Sequence, residues 1–487
     1  MMLTLRRSFC SHRGPRSISF STWNKSFQRK TKSDSCYERF RVPEGLMESC
    51  DLKNGMRLVC EYKPSCVTTV GCFLPAGSMY EMPEERGAAL FMEHLIFRRT
   101  RCRKQEQLEL ELEKIGGKLA ALATRDIFLF YGTSPSCDTE KIVELLADVV
   151  LNGITCDEDV IKERFVILRE LAEMETDYEG VVMDYLQDIA YQGTELSKSI
   201  YPESCIIKNL CAEHVNNFRE RLFQPCFMTM VSTGGTSLCE IQRMASKYFI
   251  GVEQDSEPIP GDCRMKYFAS GSPFRYSGSE LRLRDDDEKF ACVAVAIEGP
   301  GYAKCQDHCT LTVAKEIMGS WDMSYGGGSN NAPYLAVEAF KTHLCYSYKS
   351  FNFGWGCTGL WGCYFICHKY NLDDMMLLIQ SEWKRLCTTI TKKEVERAVN
   401  QCRTQELTRI TNSVDRFFDI SLCLFRHGRY ESLTDRLAKY ENVSVDMIRN
   451  VANEYIYDRC PAVVATGPIE NLPDYWQIRA AMHSLHH

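Results

Sequence analysis

No stretch of this chain approaches the roughly 18 apolar residues that a membrane-crossing helix requires. The run V-E-L-L-A-D-V-V-L-N-G-I, residues 143–154, is too short and is broken by Asp148. Any membrane association is therefore expected only through partner subunits. Basic charge is in short supply: 58 Lys and Arg stand against 65 Asp and Glu, a net charge of −7. That balance offers no broad basic surface and argues against nucleic acid as a partner. Among 25 cysteines there is no C-x-x-C pair, so both paired zinc-finger ligands and the C-x-x-C-H of covalent haem attachment are missing. Cys305, His308 and Cys309 form a C-x-x-H-C cluster, but no second cluster completes it. Cysteines scattered over a long chain read as free thiols in a reducing compartment.

What remains is ordinary globular material, 45% hydrophobic and 25% charged, enough for about two to four domains at this length. The first 33 residues stand apart. They contain no Asp or Glu, whereas Arg6, Arg7, Arg13, Arg16, Lys25, Arg29, Lys30 and Lys32 are basic and serine is frequent. Leu3, Leu5 and Phe9 can share an apolar side. Arg-rich, Ser-rich and acid-poor is the composition of a mitochondrial transit peptide, and residues 1–33 are read as one. The competing reading is a disordered basic arm.

Beyond the leader the chain follows one plan twice. Asn54-Gly55 marks a hairpin turn, residues 68–81 read as a buried strand ending at Gly77, and helical spacing follows over 84–98. Residues 121–132 read as a further strand, and helices are expected over 138–154, opened by Asp138, and over 157–175. In the second half, residues 290–304 resemble 68–81, with Gly301 where Gly77 stood, and 391–407 resemble the helix at 157–175. The expectation is α+β: two homologous domains, 40–255 and 273–487, each a mainly antiparallel sheet with helices packed on one face. The Gly-, Pro- and Ser-rich stretch 256–272 is read as their linker.

The helical stretch G-A-A-L-F-M-E-H-L-I-F (87–97) carries Glu93-His94, and the second half has no such pair at the matching place. Zinc hydrolysis needs about three protein ligands, an open position for water and a base. The inverted motif H-x-x-E-H supplies two histidines on one helix face, with the base beside the second. Glu93 would be that base and His94 that second ligand, but the first position is Leu90, which cannot bind a metal. Glu163 and Glu170 share a face of the 157–175 helix, and either could be a third ligand. Taken alone, Glu93-His94 reads equally as a helix-end ion pair or polar core pair.

The surroundings carry more. Residues 74–100, L-P-A-G-S-M-Y-E-M-P-E-E-R-G-A-A-L-F-M-E-H-L-I-F-R-R-T, and 157–177 resemble the pitrilysin-like metallopeptidases, in the branch of the processing-peptidase β-type subunits. Further on, A-I-E-G-P-G-Y-A, W-D-M-S-Y-G-G-G-S, N-L-D-D-M-M-L-L-I-Q-S-E-W-K-R-L-C and the C-terminal Y-I-Y-D-R-C-P-A-V-V-A-T-G-P-I-E-N-L-P-D-Y-W-Q-I-R-A-A-M are similar to the core proteins of mitochondrial ubiquinol–cytochrome c reductase (complex III). The resemblance runs from about position 40 to the C-terminus. It implies vestigial roles: Glu93 as general base, His94 and Glu170 as zinc ligands, with the first ligand replaced by Leu90. Two departures agree. Where the family has Asn-Ala-x-x-Thr-Arg-Glu on its substrate-side strand, this chain has Ala120-Ala121-Leu122-Ala123-Thr124-Arg125-Asp126; after the zinc helix, Phe97-Arg98-Arg99-Thr100 lacks the family's glycine. Gly326-Gly327-Gly328 is read as a connector rather than a peptide-binding loop.

The resemblance thus implies a structural core subunit of complex III, peripheral on the matrix side of the mitochondrial inner membrane, with no cofactor expected. Its partners would be the α-like core protein II, cytochrome b, cytochrome c1 and the Rieske protein, with presequence peptides as a further ligand. The alternative is the zinc-dependent β-subunit of mitochondrial processing peptidase, which removes presequences.

Overall fold

The computed structural model describes residues 45–249 and 274–484. The expected leader (1–33) and linker (256–272) lie outside them, as do the outermost residues of both expected domains.

The first six strands form one sheet. These are β1 (Leu46–Asp51), β2 (Arg57–Tyr62), β3 (Val67–Leu74), β4 (Lys118–Ala123), β5 (Phe128–Pro135) and β6 (Thr229–Gly234), in the order β1-β2-β6-β3-β5-β4. Every neighbouring pair is antiparallel except β2–β6. The second sheet is built from β7 (Glu280–Arg284), β8 (Ala291–Pro300), β9 (Ser320–Asp322), β10 (Cys345–Gly354), β11 (Thr358–Cys367) and β12 (Ala462–Gly467), in the order β7-β12-β8-β11-β10-β9. Its one parallel pair is β7–β12. The five-strand order β2-β6-β3-β5-β4 thus recurs as β7-β12-β8-β11-β10, with β1 added at one edge of the first sheet and β9 at the opposite edge of the second. The α+β fold expected from the repeat is what the chain adopts.

The repeat is visible at single residues. Gly77 and Gly301 both follow the long central strand and both open a short 3-10 turn, Ser78–Tyr80 and Tyr302–Lys304. A Cβ on Gly77 would stand 2.2 Å from the Arg125 carbonyl oxygen, and one on Gly301 2.4 Å from that of Trp355. Only glycine lets the chain pass there. The Asn54-Gly55 hairpin forms, with Gly55 at φ +81°.

One strand expectation is corrected. Residues 121–132 are not a continuous strand but the two arms of a hairpin, β4 and β5, joined by a turn at Thr124–Ile127. The Thr124 hydroxyl donates to Asp126 Oδ1 and accepts from the Ile127 amide, closing the chain back on itself. The helix Thr139–Asn152 begins after Asp138 as expected, but the Asp138 side chain makes no capping bond.

The central strands of each sheet are buried on both faces. On the first, Leu58, Val70, Cys72, Phe128, Phe130 and Met230 face the helices of the same half. The alternate residues Val59, Phe73, Leu129 and Val231 pack against Phe417, Ile420 and Leu424 of the helix Ser413–His427, which belongs to the second half. The second sheet mirrors this: Cys292, Ala294, Ala296, Leu360, Tyr364 and Val464 receive Val182, Leu186 and Ile189 of the helix Tyr178–Ala190, from the first half. The two halves therefore exchange one helix each. Polar bonds fix the exchange: the Tyr191 hydroxyl donates to the Gly359 carbonyl at 2.9 Å, and the Thr233 hydroxyl to the Ser413 carbonyl at 2.8 Å. Arg416 reaches from the Ser413–His427 helix to Glu61 of β2, its Nε and Nη2 each 2.8 Å from a carboxylate oxygen.

Candidate functional site

The Glu-His helix, Ala88–Leu95, starts at Gly87, whose φ of +91° lies in the left-handed region that favours glycine. Its first turn is held by a residue that the sequence did not single out. Glu81 accepts the Gly87 amide at 2.9 Å and the Ala89 amide at 2.8 Å, so a carboxylate sits at the positive end of the helix. Burial nevertheless pushes the Glu81 carboxyl up to about 7, against the pull of those two amides. Its position before two charged residues in a Pro-containing loop gave no periodic signal.

Ala88, Ala89, Leu90, Phe91, Met92 and Leu95 point into the first core, leaving Glu93 and His94 on the remaining face. Glu93 reaches the edge strand, where Oε2 accepts the Ala123 amide of β4 at 2.9 Å. Burial raises the Glu93 carboxyl above its ordinary range, and that backbone bond only partly offsets it. His94 faces the helix Asp157–Met174, and both candidate carboxylates of that helix meet it. Nδ1 is 3.1 Å from Glu163 Oε1 and Nε2 is 3.0 Å from Glu170 Oε2. Burial would depress the imidazole, but the two carboxylates outweigh it and hold His94 at about 9. At neutral pH the ring is thus an imidazolium, donating from both nitrogens. The His94 hydrogen bond draws the Glu170 carboxyl down in turn, and Glu170 also accepts from the Tyr201 hydroxyl at 3.3 Å. Arg98 lies 3.5 Å from the second oxygen of Glu163.

Leu90, one helical turn before His94, is 2% exposed and part of the hydrocarbon core. The donors that face a common point are therefore His94 Nε2 and Glu170, with Glu163 behind the ring on Nδ1. Among the described residues, no group of three His, Cys, Asp or Glu side chains is placed to hold a metal ion. A peptidase-type zinc needs about three protein ligands, and the donor set here does not fit it. What the arrangement does instead is join two helices through a partly buried cation between two anions.

Ala120 lies in β4 at the outer edge of the sheet, carrying no side-chain amide toward an incoming chain. Gly326–Gly328 forms a turn between β9 and the helix Tyr334–Thr342, with the Asn331 side chain bonded to the Gly328 carbonyl.

This α+β chain, with two six-stranded sheets and a Glu-His helix facing a carboxylate-bearing helix, belongs to peptidase family M16. Residues 57–203 match the description "Insulinase (Peptidase family M16)" and residues 209–402 match "Peptidase M16 inactive domain". Over 443 residues the chain is 37% identical to cytochrome b-c1 complex subunit 1, mitochondrial, of Mus musculus, covering 91% of this chain and 90% of that protein. Over 436 residues it is 36% identical to mitochondrial-processing peptidase subunit beta of Bos taurus, covering 89% and 87%. The fold is shared with a chain of complex III2 from Candida albicans, bound to Inz-5, at a TM-score of 0.78 and 21% identity, covering 89% of this chain and 99% of that one. A protease from Helicobacter pylori superposes with a TM-score of 0.74 at 18% identity, covering 87% and 100%. The family resemblance drawn from the motifs holds, and the relatives include both an electron-transfer-complex subunit and a processing-peptidase subunit.

Proposed function

We propose that this protein is a structural core subunit of the mitochondrial cytochrome b-c1 complex (ubiquinol–cytochrome c reductase, complex III), supporting assembly and stability of the electron-transfer subunits. The observation that carries this reading is Leu90: a buried hydrocarbon stands where the first zinc ligand would be, and His94 is held by two carboxylates. In this reading Glu93 is a vestigial general base, and His94 and Glu170 are vestigial ligands now serving as an ion-paired clamp. The similarity to subunit 1 of the b-c1 complex spans 91% of the chain and supports the same assignment. The partners are an α-like core protein II, cytochrome b, cytochrome c1 and the Rieske protein, and the location is the matrix side of the inner membrane. Among the described residues no helix is long and apolar enough to cross a membrane, so attachment runs through those partners. Residues 1–33 serve as the transit peptide, followed by the two domains 40–255 and 273–487.

A second reading is favoured by one observation, the 36% identity to processing-peptidase subunit beta: a peptidase partner that removes presequences from imported proteins. Native-gel fractionation of mitochondria, with metal analysis of each fraction, separates the two. The core-subunit reading expects migration with the haem-bearing complex and no stoichiometric zinc. A zinc-loaded soluble heterodimer that cleaves presequences would overturn it.

A further inference from the structure

The C-x-x-H-C cluster that composition left without a partner opens onto a cavity of about 460 Å³. Cys305, Cys309, Cys402 and Cys423 all line it, but they are not equivalent. Cys309, Cys402 and Cys423 are buried, and burial holds each as a thiol, Cys309 with its pKa pushed up to about 12. Cys305 is partly exposed and is the first residue of the helix Cys305–Met318. The positive end of that helix therefore lies at its sulfur. A second, independent feature is the Lys439 ammonium from the helix Leu433–Glu441, whose Nζ is 3.0 Å from Cys305 Sγ. Glu431 holds that ammonium in place, both of its oxygens 2.6 Å from Nζ. A helix N-terminus with an adjacent lysine, open to solvent, is the setting in which thiols react as nucleophiles.

We propose that Cys305 and Lys439 are an oxidant-driven cross-linking site, in which a peroxide joins the helices Cys305–Met318 and Leu433–Glu441 through a sulfenamide. In the first step the Cys305 sulfur attacks hydrogen peroxide. The O–O bond breaks, an S–O bond forms, and one water leaves, giving a sulfenic acid. In the second, the Lys439 ammonium releases one proton to solvent and the freed amine attacks the sulfur. An S–N bond forms, the S–O bond breaks and a second water leaves. The sulfur is oxidised by two electrons and the peroxide is reduced by two. Cys309 lies one turn along the same helix and lines the same cavity, but burial holds it as a thiol, whereas the Lys439 nitrogen is 3.0 Å from the Cys305 sulfur.

The test is peptide mapping by mass spectrometry of the purified full-length protein after titration with hydrogen peroxide. The expected dominant product is a Cys305–Lys439 linked peptide, lighter by two hydrogens than the sum of its parts and released by dithiothreitol. Cys305→Ser and Lys439→Gln should abolish it, and Cys309→Ser should leave it intact. Circular dichroism identifies any variant that misfolds, and the wild-type map stands without the variants. Accumulation of Cys305 sulfinic acid beside free Lys439, a Cys305 disulfide, or an unmodified Cys305 would each overturn the proposal.

Discussion

The imidazole of His94 lies between Glu163 and Glu170, 3.1 Å from one carboxylate and 3.0 Å from the other. A zinc ion competing for this ring would have to displace a proton held at about 9 and break two charge-assisted bonds. The site is thus occupied by its own chemistry.

Restoring the missing ligand measures how far that has gone. Leu90→His should raise zinc affinity by roughly 100-fold or more, since a third donor is then supplied. Competition against a chromophoric chelator reads the change directly. An unaltered affinity would mean that the clamp, rather than Leu90, keeps the metal out.

Removing the cation should destabilise the protein. His94→Gln leaves Glu163 and Glu170 facing each other with only neutral donors between them. The expected loss is roughly 1–3 kcal/mol, below that for a fully buried pair because Glu170 is partly exposed. Urea denaturation checks it. Glu170→Gln, on the more exposed side, should cost less than Glu163→Gln.

Arg416 and Glu61 form the buried ion pair that ties the second half's helix to the first sheet, with side chains 8% and 6% exposed. Arg416→Met strands the Glu61 carboxylate and should cost roughly 3–5 kcal/mol. Arg416→Met combined with Glu61→Leu should recover much of that loss, because both charges are then gone. A double-mutant cycle by denaturant unfolding gives the coupling.

His308 supplies a pH signature. Burial depresses its imidazole to about 4, and neighbouring Arg426 and His427 disfavour its charged form further. The unfolded chain takes up this proton near pH 6.5, whereas the folded chain resists it down to about 4. Acidification through that window therefore favours unfolding. The stability contribution is intact above about pH 6.5 and is lost as pH falls toward 4. Urea midpoints measured across this range should fall less steeply for His308→Asn than for the wild-type protein.

Much of the fold was legible because strand and helix periods differ. The hairpin at Asn54-Gly55, the helix bearing Glu163 and Glu170, and the Gly77–Gly301 correspondence all rest on local chemistry that the chain obeys. The turn at Thr124–Ile127 was missed because continuous apolar runs flank only three polar residues, and the Thr124 side chain closes the chain between them. The role of Glu81 was hidden for a similar reason: a long-range bond to backbone amides leaves no trace in spacing. The exchanged helices were beyond reach altogether. An amphipathic stripe shows that a helix buries a face, but not against which sheet. At the candidate site, the residue types were readable, while the joint use of Glu163 and Glu170 by one histidine required coordinates.

The exchange of Tyr178–Ala190 for Ser413–His427 bears on how such a chain could arise. Two copies of one ancestral lobe, each lending a helix to its twin, describe a domain-swapped dimer, here written into a single polypeptide. Neither repeat could be excised and still cover its own sheet. A chain cut between the repeats should survive only if both pieces meet again, so the duplication is inherited as a pair or not at all.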